Sequence, residues 1–185
     1  MQKDTSYTDA ELLHLYKHGD NRNYAFNLII KKFQSKLYQH IRRMVIDHDD
    51  TDDILQDTFV KAWNGLENFR EESQLFTWLY RIATNEALTF LKKKKNRFFI
   101  PIHDITAELE NKLISERSIN ADKLILKLEL AILKLPEQQR AVFNMRYYDE
   151  LKYEQIAEIT GVTVGALKAS YHHAVKKIEK FIKED

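Results

Sequence analysis

The stretch GVTVGALKASYHHAVKKIEKF, residues 161–181, carries four lysines (Lys168, Lys176, Lys177 and Lys180), two histidines and one acid, Glu179. The whole chain balances 29 Lys+Arg against 28 Asp+Glu, so this local excess is a placed charge. Clustered ammonium groups neutralise phosphates and release their counterions; the chemistry on offer is the binding of a polyanion, without bond making. If Val164, Leu167, Tyr171, Ala174, Val175, Ile178 and Ile182 form the buried stripe of a helix, the opposite face is Gly165, Ala166, Lys168, Ala169, Ser170, His172, His173, Lys176 and Lys177. A glycine inside a helix costs about 1 kcal/mol relative to alanine, which suits a helix end that must press closely against another surface. A DNA major groove is such a surface, with the lysines further along placed to meet phosphates. The plainer alternative is a solvated basic helix end that complements its own dipole.

The residues just before this helix favour the groove. With Tyr153 as the first position of a helix-turn-helix, Ala157 falls at the fifth position, Gly161 at the ninth and Leu167 at the fifteenth. A small residue lets two helices cross closely, a glycine accepts the positive φ of the turn, and a later apolar residue anchors the second helix.

A second basic segment lies earlier. Residues 76–97 hold six basic side chains (Arg81, Lys92, Lys93, Lys94, Lys95 and Arg97) against one acid, Glu86, with the aromatic residues Phe76, Trp78 and Tyr80 close by. Phosphate contact and stacking on an extruded base are the chemistry of that combination, and core packing is the alternative for the aromatics. By contrast, Asp52, Asp53, Gln56 and Asp57 make an acidic and polar surface suited to a basic protein partner. The cluster DHDDTDD is no calcium loop: counted from Asp47, Asp52 stands where glycine is required and Thr58 where glutamate is required.

Catalysis and metal or cofactor binding have no foothold. The chain lacks a P-loop, a G-x-G-x-x-G and an H-E-x-x-H; His172 and His173 are adjacent and do not share a helical face. With no cysteine there is no disulfide, thiolate site or thiol nucleophile, and no signal peptide or membrane-length apolar run is visible, so a cytoplasmic protein without membrane insertion is expected.

The elements that must position these residues are helices. Only four glycines and two prolines occur in 185 residues, 44% of them hydrophobic, a balance that favours long helices and ordinary cores. Thr8-x-x-Glu11 is a capping box for a helix ending near Gly19. Phe26, Ile29, Ile30, Phe33, Leu37, Ile41, Met44 and Val45 mark the stripe of a second helix. A third buries Ile54, Leu55, Phe59, Ala62, Trp63 and Leu66, and a fourth over residues 75–95 buries Phe76, Leu79, Ile82, Ala83, Ala87, Phe90 and Leu91. Periodicity weakens over residues 98–121, read as a linker with room for a short helix. It returns at Leu124, and Pro136 opens the helix that precedes the helix-turn-helix. The expectation is an all-α chain of two helical domains, residues 1–97 and 122–185, joined by that linker, the C-terminal one a helix-turn-helix.

DDILQDTFVKAWNGLENF followed by LFTWLYRIATNEALTFLKKKKNR resembles region two of the extracytoplasmic-function (ECF) sigma factors of bacterial RNA polymerase, and LPEQQRAVFNMRYYDELKYEQIAEITGVTVGALKASYHHAVKKIEKF resembles their region four. The likeness implies a factor that directs core RNA polymerase to specific promoter DNA, without enzymatic activity, cofactor or metal, with an anti-sigma factor as a further partner the family admits. It implies core-polymerase binding through Asp52, Asp53, Gln56, Asp57 and Lys61. It implies contact with the downstream (-10) element through Asn68, Arg70, Ser73, Gln74, Trp78, Arg81, Thr84, Asn85, Lys92, Lys93, Lys94, Lys95 and Arg97, the loop over residues 68–74 holding a flipped base. It implies contact with the upstream (-35) element through Thr163, Gly165, Ala166, Lys168, Ala169, Ser170, His172, His173, Lys176 and Lys177. The chain departs from the pattern in three places: Lys152 replaces the usual Ser or Thr helix cap, Ala169-Ser170 replaces a frequent Ser-Arg pair, and the tandem tryptophans of housekeeping sigma factors are absent around Trp78, as in other small members. A stand-alone helix-turn-helix regulator is the competing reading; it would bind an operator unaided, as a dimer on symmetric half-sites.

Overall fold

The computed structural model describes residues 7–97, 102–116 and 123–183, and among them every element is a helix. Helix α1 (Asp9–His18) opens with the expected reciprocal cap: the Thr8 hydroxyl accepts from the Glu11 N–H at 3.2 Å and the Glu11 carboxylate accepts from the Thr8 N–H at 2.7 Å. Helix α2 (Arg22–Val45) starts on the Asn21 side chain, which accepts from the Tyr24 N–H at 2.9 Å. Its stripe is buried as the periodicity predicts, with Ile30 half-buried, and the structure adds His40, fully buried. At Ile46 the backbone turns left-handed, φ 66°, a strained state for a β-branched residue, and this redirects the chain into α3 (His48–Leu66). Asp47 caps α3 by accepting from the Asp50 N–H at 2.9 Å.

Helix α4 (Leu75–Arg97) closes the first module against α2 and α3. Trp78 lies flat enough on α3 that a Cβ at Gly65 would sit 3.1 Å from its Cζ2; Gly65 therefore gives the ring its room. Trp63 does not bury with its neighbours Phe59 and Ala62: its ring stands edge-on to Tyr16 and Phe26 and is 36% exposed.

The linker interval holds α5 (Ile102–Glu116), whose Leu109 and Leu113 pack on Ile46 and Leu133. Lys112 reaches Asp47 at 2.6 Å and ties α5 to the start of α3. One turn of i, i+4 leucines and one ion pair are too local a signal to appear as sustained periodicity.

The second module comprises α6 (Lys123–Leu133), α7 (Glu137–Tyr147) with Pro136 at its N-cap, α8 (Tyr153–Thr160) and α9 (Val164–Lys183). Ala131, Ile132, Leu135, Phe143, Ala174 and Ile178 form its own core. The two modules are also in contact. Val142, Met145, Leu151, Ile156, Ile159 and Leu167 belong to the same buried cluster as Leu79, Tyr80 and Ala83, so α7 and α8 lie against α2 and α4.

Candidate functional site

The helix-turn-helix forms at the predicted residues. Gly161 ends α8 with φ 72°, a left-handed cap where any side chain would be strained, and its N–H donates to the Ala157 carbonyl at 2.8 Å. Thr163 then caps α9: its hydroxyl accepts from the Ala166 N–H at 3.4 Å and its carbonyl from the Leu167 N–H at 3.0 Å. On α9, Leu167, Ala174 and Ile178 are buried and Val164, Tyr171, Val175 and Ile182 half-buried. Thr163, Gly165, Ala166, Lys168, Ala169, His172, His173, Lys176 and Lys177 are exposed, while Ser170 is half-buried at the stripe's edge. Nothing lies within 4 Å of a Cβ placed on Gly165, so the start of α9 is open to close approach. Lys168 sits over the Tyr153 ring at 5.8 Å, and Lys177 donates to Gln139 Oε1 at 3.0 Å. The surface is a helix with small residues at its open end and cations behind them, able to enter a groove and bind the flanking phosphates.

Lys152 at the cap of α8 makes no side-chain cap bond, and the Gln155 side chain accepts from its N–H at 3.0 Å. That leaves half of a capping box, as the replacement of a hydroxyl by an ammonium dictates.

On α4 the predicted residues divide. Asn85, Lys92 and Lys93 are exposed. Lys94 is turned back onto its own module, 3.4 Å from Asp50 and with its side chain only 14% exposed. The side chains of Lys95 and Arg97 fall outside the described residues. In the loop before α4, Asn68, Arg70 and Gln74 are exposed and Ser73 half-buried. Trp78 is half-buried and tilted on Phe69, 5.0 Å between centroids. Tyr80 is 2% exposed, and burial pushes its phenol well above the ordinary range. Arg81 and Thr84 are both engaged within the chain: the Arg81 guanidinium donates to the Glu158 carbonyl on α8, and the Thr84 hydroxyl donates to the Tyr80 carbonyl at 2.8 Å.

Asp52, Asp53, Gln56, Asp57 and Lys61 lie exposed along α3, with Lys61 paired to Glu86 of α4. Beside them runs a shallow apolar groove of about 550 Å³, lined by Phe26, Ile30, Phe59, Val60 and Trp63. Val60, 52% exposed, is the residue that sequence reasoning missed here; its outward position in an apolar helix stretch was the available signal. Also missed were His40, Arg43 and Asp149, which no motif contains.

Residues 29–97 match the family model described as Sigma-70 region 2, and residues 125–178 the one described as Sigma-70, region 4. The chain is 33% identical to the RNA polymerase sigma-H factor of Pseudomonas aeruginosa over 95% of its own length and 94% of that protein. It is 35% identical to the ECF RNA polymerase sigma-E factor of Haemophilus influenzae, with 95% of each covered. Among solved structures its fold is similar to CnrH in complex with the cytosolic domain of CnrY, at a TM-score of 0.69 and 24% identity, covering 96% of this chain and 98% of that one. It is also similar to the sigma factor RpoE in complex with the anti-sigma factor NepR from Bartonella quintana, at 0.67 and 21%, covering 86% and 98%. Among the described residues no helix is long and apolar enough to cross a membrane.

Proposed function

The chain belongs to the extracytoplasmic-function sigma factors of RNA polymerase, and from that membership we propose how its surfaces divide the work. The first module, residues 1–97, docks on core polymerase through the acidic face of α3 (Asp52, Asp53, Gln56 and Asp57, with Lys61 at its edge) together with the groove around Val60 and Trp63. An acidic rim around an apolar patch gives both orientation and buried area to a basic partner. The loop over residues 68–74 and the α4 residues Trp78, Arg81, Asn85, Lys92 and Lys93, with Lys95 and Arg97 after them, serve the downstream promoter element, whereas Thr84, 2% exposed and bonded to His40 and Tyr80, and Lys94, paired with Asp50, are held by the module itself. The second module, residues 122–185, sets α9 in the major groove of the upstream element. Gly165, Ala166 and Ala169 approach the base edges, while Lys168, Lys176, Lys177 and the two histidines lie along the phosphates. The protein performs no bond chemistry: it supplies binding free energy to a reaction carried out by the polymerase. An anti-sigma factor remains the further partner that family membership admits.

The observation that carries this reading is the exposure pattern of α9, small residues first and cations after, on a helix whose other side is buried. Run-off transcription with purified core polymerase on a pool of candidate promoters tests it. Specific transcripts are expected only when both core and this chain are present. Tight binding of the chain alone to a palindromic site, with no effect on core polymerase, would instead make it a stand-alone regulator.

A further inference from the structure

Lys17 stands in the last turn of α1, where a cation suits the helix dipole and a lysine ordinarily extends into water. Its side chain is instead only 28% exposed, because it turns onto the loop between α3 and α4. One ammonium there spans two groups of the loop: Nζ donates to the Phe69 carbonyl at 3.2 Å and to the Glu71 carboxylate at 2.6 Å. Glu71 itself has φ 59°, a left-handed backbone that a residue with a Cβ adopts only at a cost. Two residues earlier, Phe69 is buried, its ring 5.0 Å from that of Trp78, and its N–H donates to the Leu66 carbonyl at 3.2 Å. Helix α1 is a fixed base for this reach. Leu12, Leu13 and Tyr16 are buried, and Lys32 of α2 holds the start of the helix through Asp9 at 2.6 Å and the Tyr7 carbonyl at 2.7 Å.

We propose that Lys17 is a positioning residue for promoter reading: its ammonium holds the loop over residues 68–74 in the shape that presents Asn68, Arg70 and Gln74, all exposed, to DNA. The consequence for promoters rests on the proposed role of this loop; the clamp itself does not. An isolated ion pair on a surface does little, but three features combine here. The foot of the loop is fixed by the buried Phe69 ring. The turn at Glu71 lies in a sparsely populated conformation, which persists only where its surroundings over-determine it. The same ammonium joins the carbonyl before that turn to the carboxylate within it, so losing the ammonium releases both. A loop free to take other shapes still meets DNA but discriminates less among bases, because discrimination needs donors and acceptors held in place before the base arrives.

The test uses the full chain, alone and assembled with core polymerase. Lys17→Met keeps the aliphatic stem and removes the ammonium, Lys17→Arg keeps a charge and a fork of donors, and Glu71→Gln removes the partner's charge. NMR order parameters of residues 69–74 in the free chain report the shape of the loop. Transcription from a template library randomised over the downstream element gives, at each position, the ratio of the preferred to the dispreferred base. In Lys17→Met the order parameters are expected to fall below about 0.6, and the preference at the positions the loop reads to fall about threefold. Affinity for core polymerase and preference over the upstream element stay as in the wild type, and Lys17→Arg restores most of both losses. A lysine with a merely structural role would lower the yield from every promoter alike and leave the ratios untouched. Glu71→Gln acts in the same direction, and added to Lys17→Met it costs little more than Lys17→Met alone. Should Lys17→Met lose its helices by circular dichroism, Glu71→Gln, which alters an exposed side chain, decides in its place. Wild-type order parameters in the deciding variant overturn the clamp. Asn68→Ala separates the remaining outcomes: if it changes the ratios and the deciding variant does not, the positioning role alone is overturned. If neither changes them, that role falls together with the proposed function of the loop.

Discussion

At the residue scale, Lys176 and Lys177 of α9 are cations with no ion pair among the described residues. Both are exposed, and Lys177 donates to the neutral Gln139 amide at 3.0 Å. Neither ammonium contributes appreciably to stability, because exposed charges interact weakly in water. Replacing both with alanine is therefore expected to leave the melting temperature within a degree or two. Binding to promoter DNA in the presence of core polymerase should weaken across sequences, and the log-log dependence on salt should become shallower by about one unit per lost phosphate contact. Titrations at several salt concentrations check this. An unchanged slope would move these lysines off the DNA-facing side.

At the scale of single helices, two caps make predictions of opposite sign. Helix α8 begins at Lys152, whose extended backbone (φ −69°, ψ 151°) is already that of an N-cap but whose side chain has no acceptor to offer. Lys152→Ser should supply the missing acceptor to the first turn and complete the box with Gln155, raising stability by about 1 kcal/mol in thermal or denaturant unfolding. Helix α3 is the reverse case. The Asp50 N–H, and after it the Lys112 ammonium, hold the Asp47 carboxyl below the usual carboxylate range. A carboxyl depressed in the folded state adds stability that is fully present above its unfolded value, near 3.9, and is lost as pH falls through the lower folded value. Asp47→Asn keeps a capping oxygen but removes the charge, so it should lower stability by about 0.5–1 kcal/mol at pH 7. That difference should close as the pH is taken down through the folded value of Asp47. A gap that persists in acid would mean that shape, not charge, is what Asp47 contributes. The cap of α1 was legible in the sequence because capping is a local matter of three or four residues, Thr8 and Glu11 standing at the spacing of a capping box, whereas Asp47 is one of five aspartates around the start of α3 and its spacing alone does not single it out. The length of α5 was not legible, since Leu109, Leu113 and Lys112 find their partners Ile46, Leu133 and Asp47 only in the folded chain.

At the scale of the whole molecule, the helices and their buried stripes could be read because a period of three to four residues repeats within each of them. The surface of α9 was legible for the same reason, being the complement of a stripe. The seam between modules could not be read. His40 and Asp149 stand 109 positions apart, Arg81 and Glu158 stand 77 apart, and each looks like an ordinary surface residue in its own stretch. A consequence of that seam can be measured. Ile156 of α8 is fully buried within the cluster that also contains Tyr80 and Ala83 of α4 and Leu37 and Ile41 of α2, so the apolar core runs without interruption from the first module to the second. Cooperative unfolding follows when neither half can lose its structure without exposing the other's apolar surface. Calorimetry of the full chain should therefore give a single transition. Ile156→Ala removes most of a buried side chain from the shared core and should lower stability by about 2–5 kcal/mol while shifting the melting of both modules together. If the modules were independent, the substitution would lower one transition and leave a second where it was, with α1, α2, α3 and α4 still protected from hydrogen exchange at temperatures where α8 had already opened.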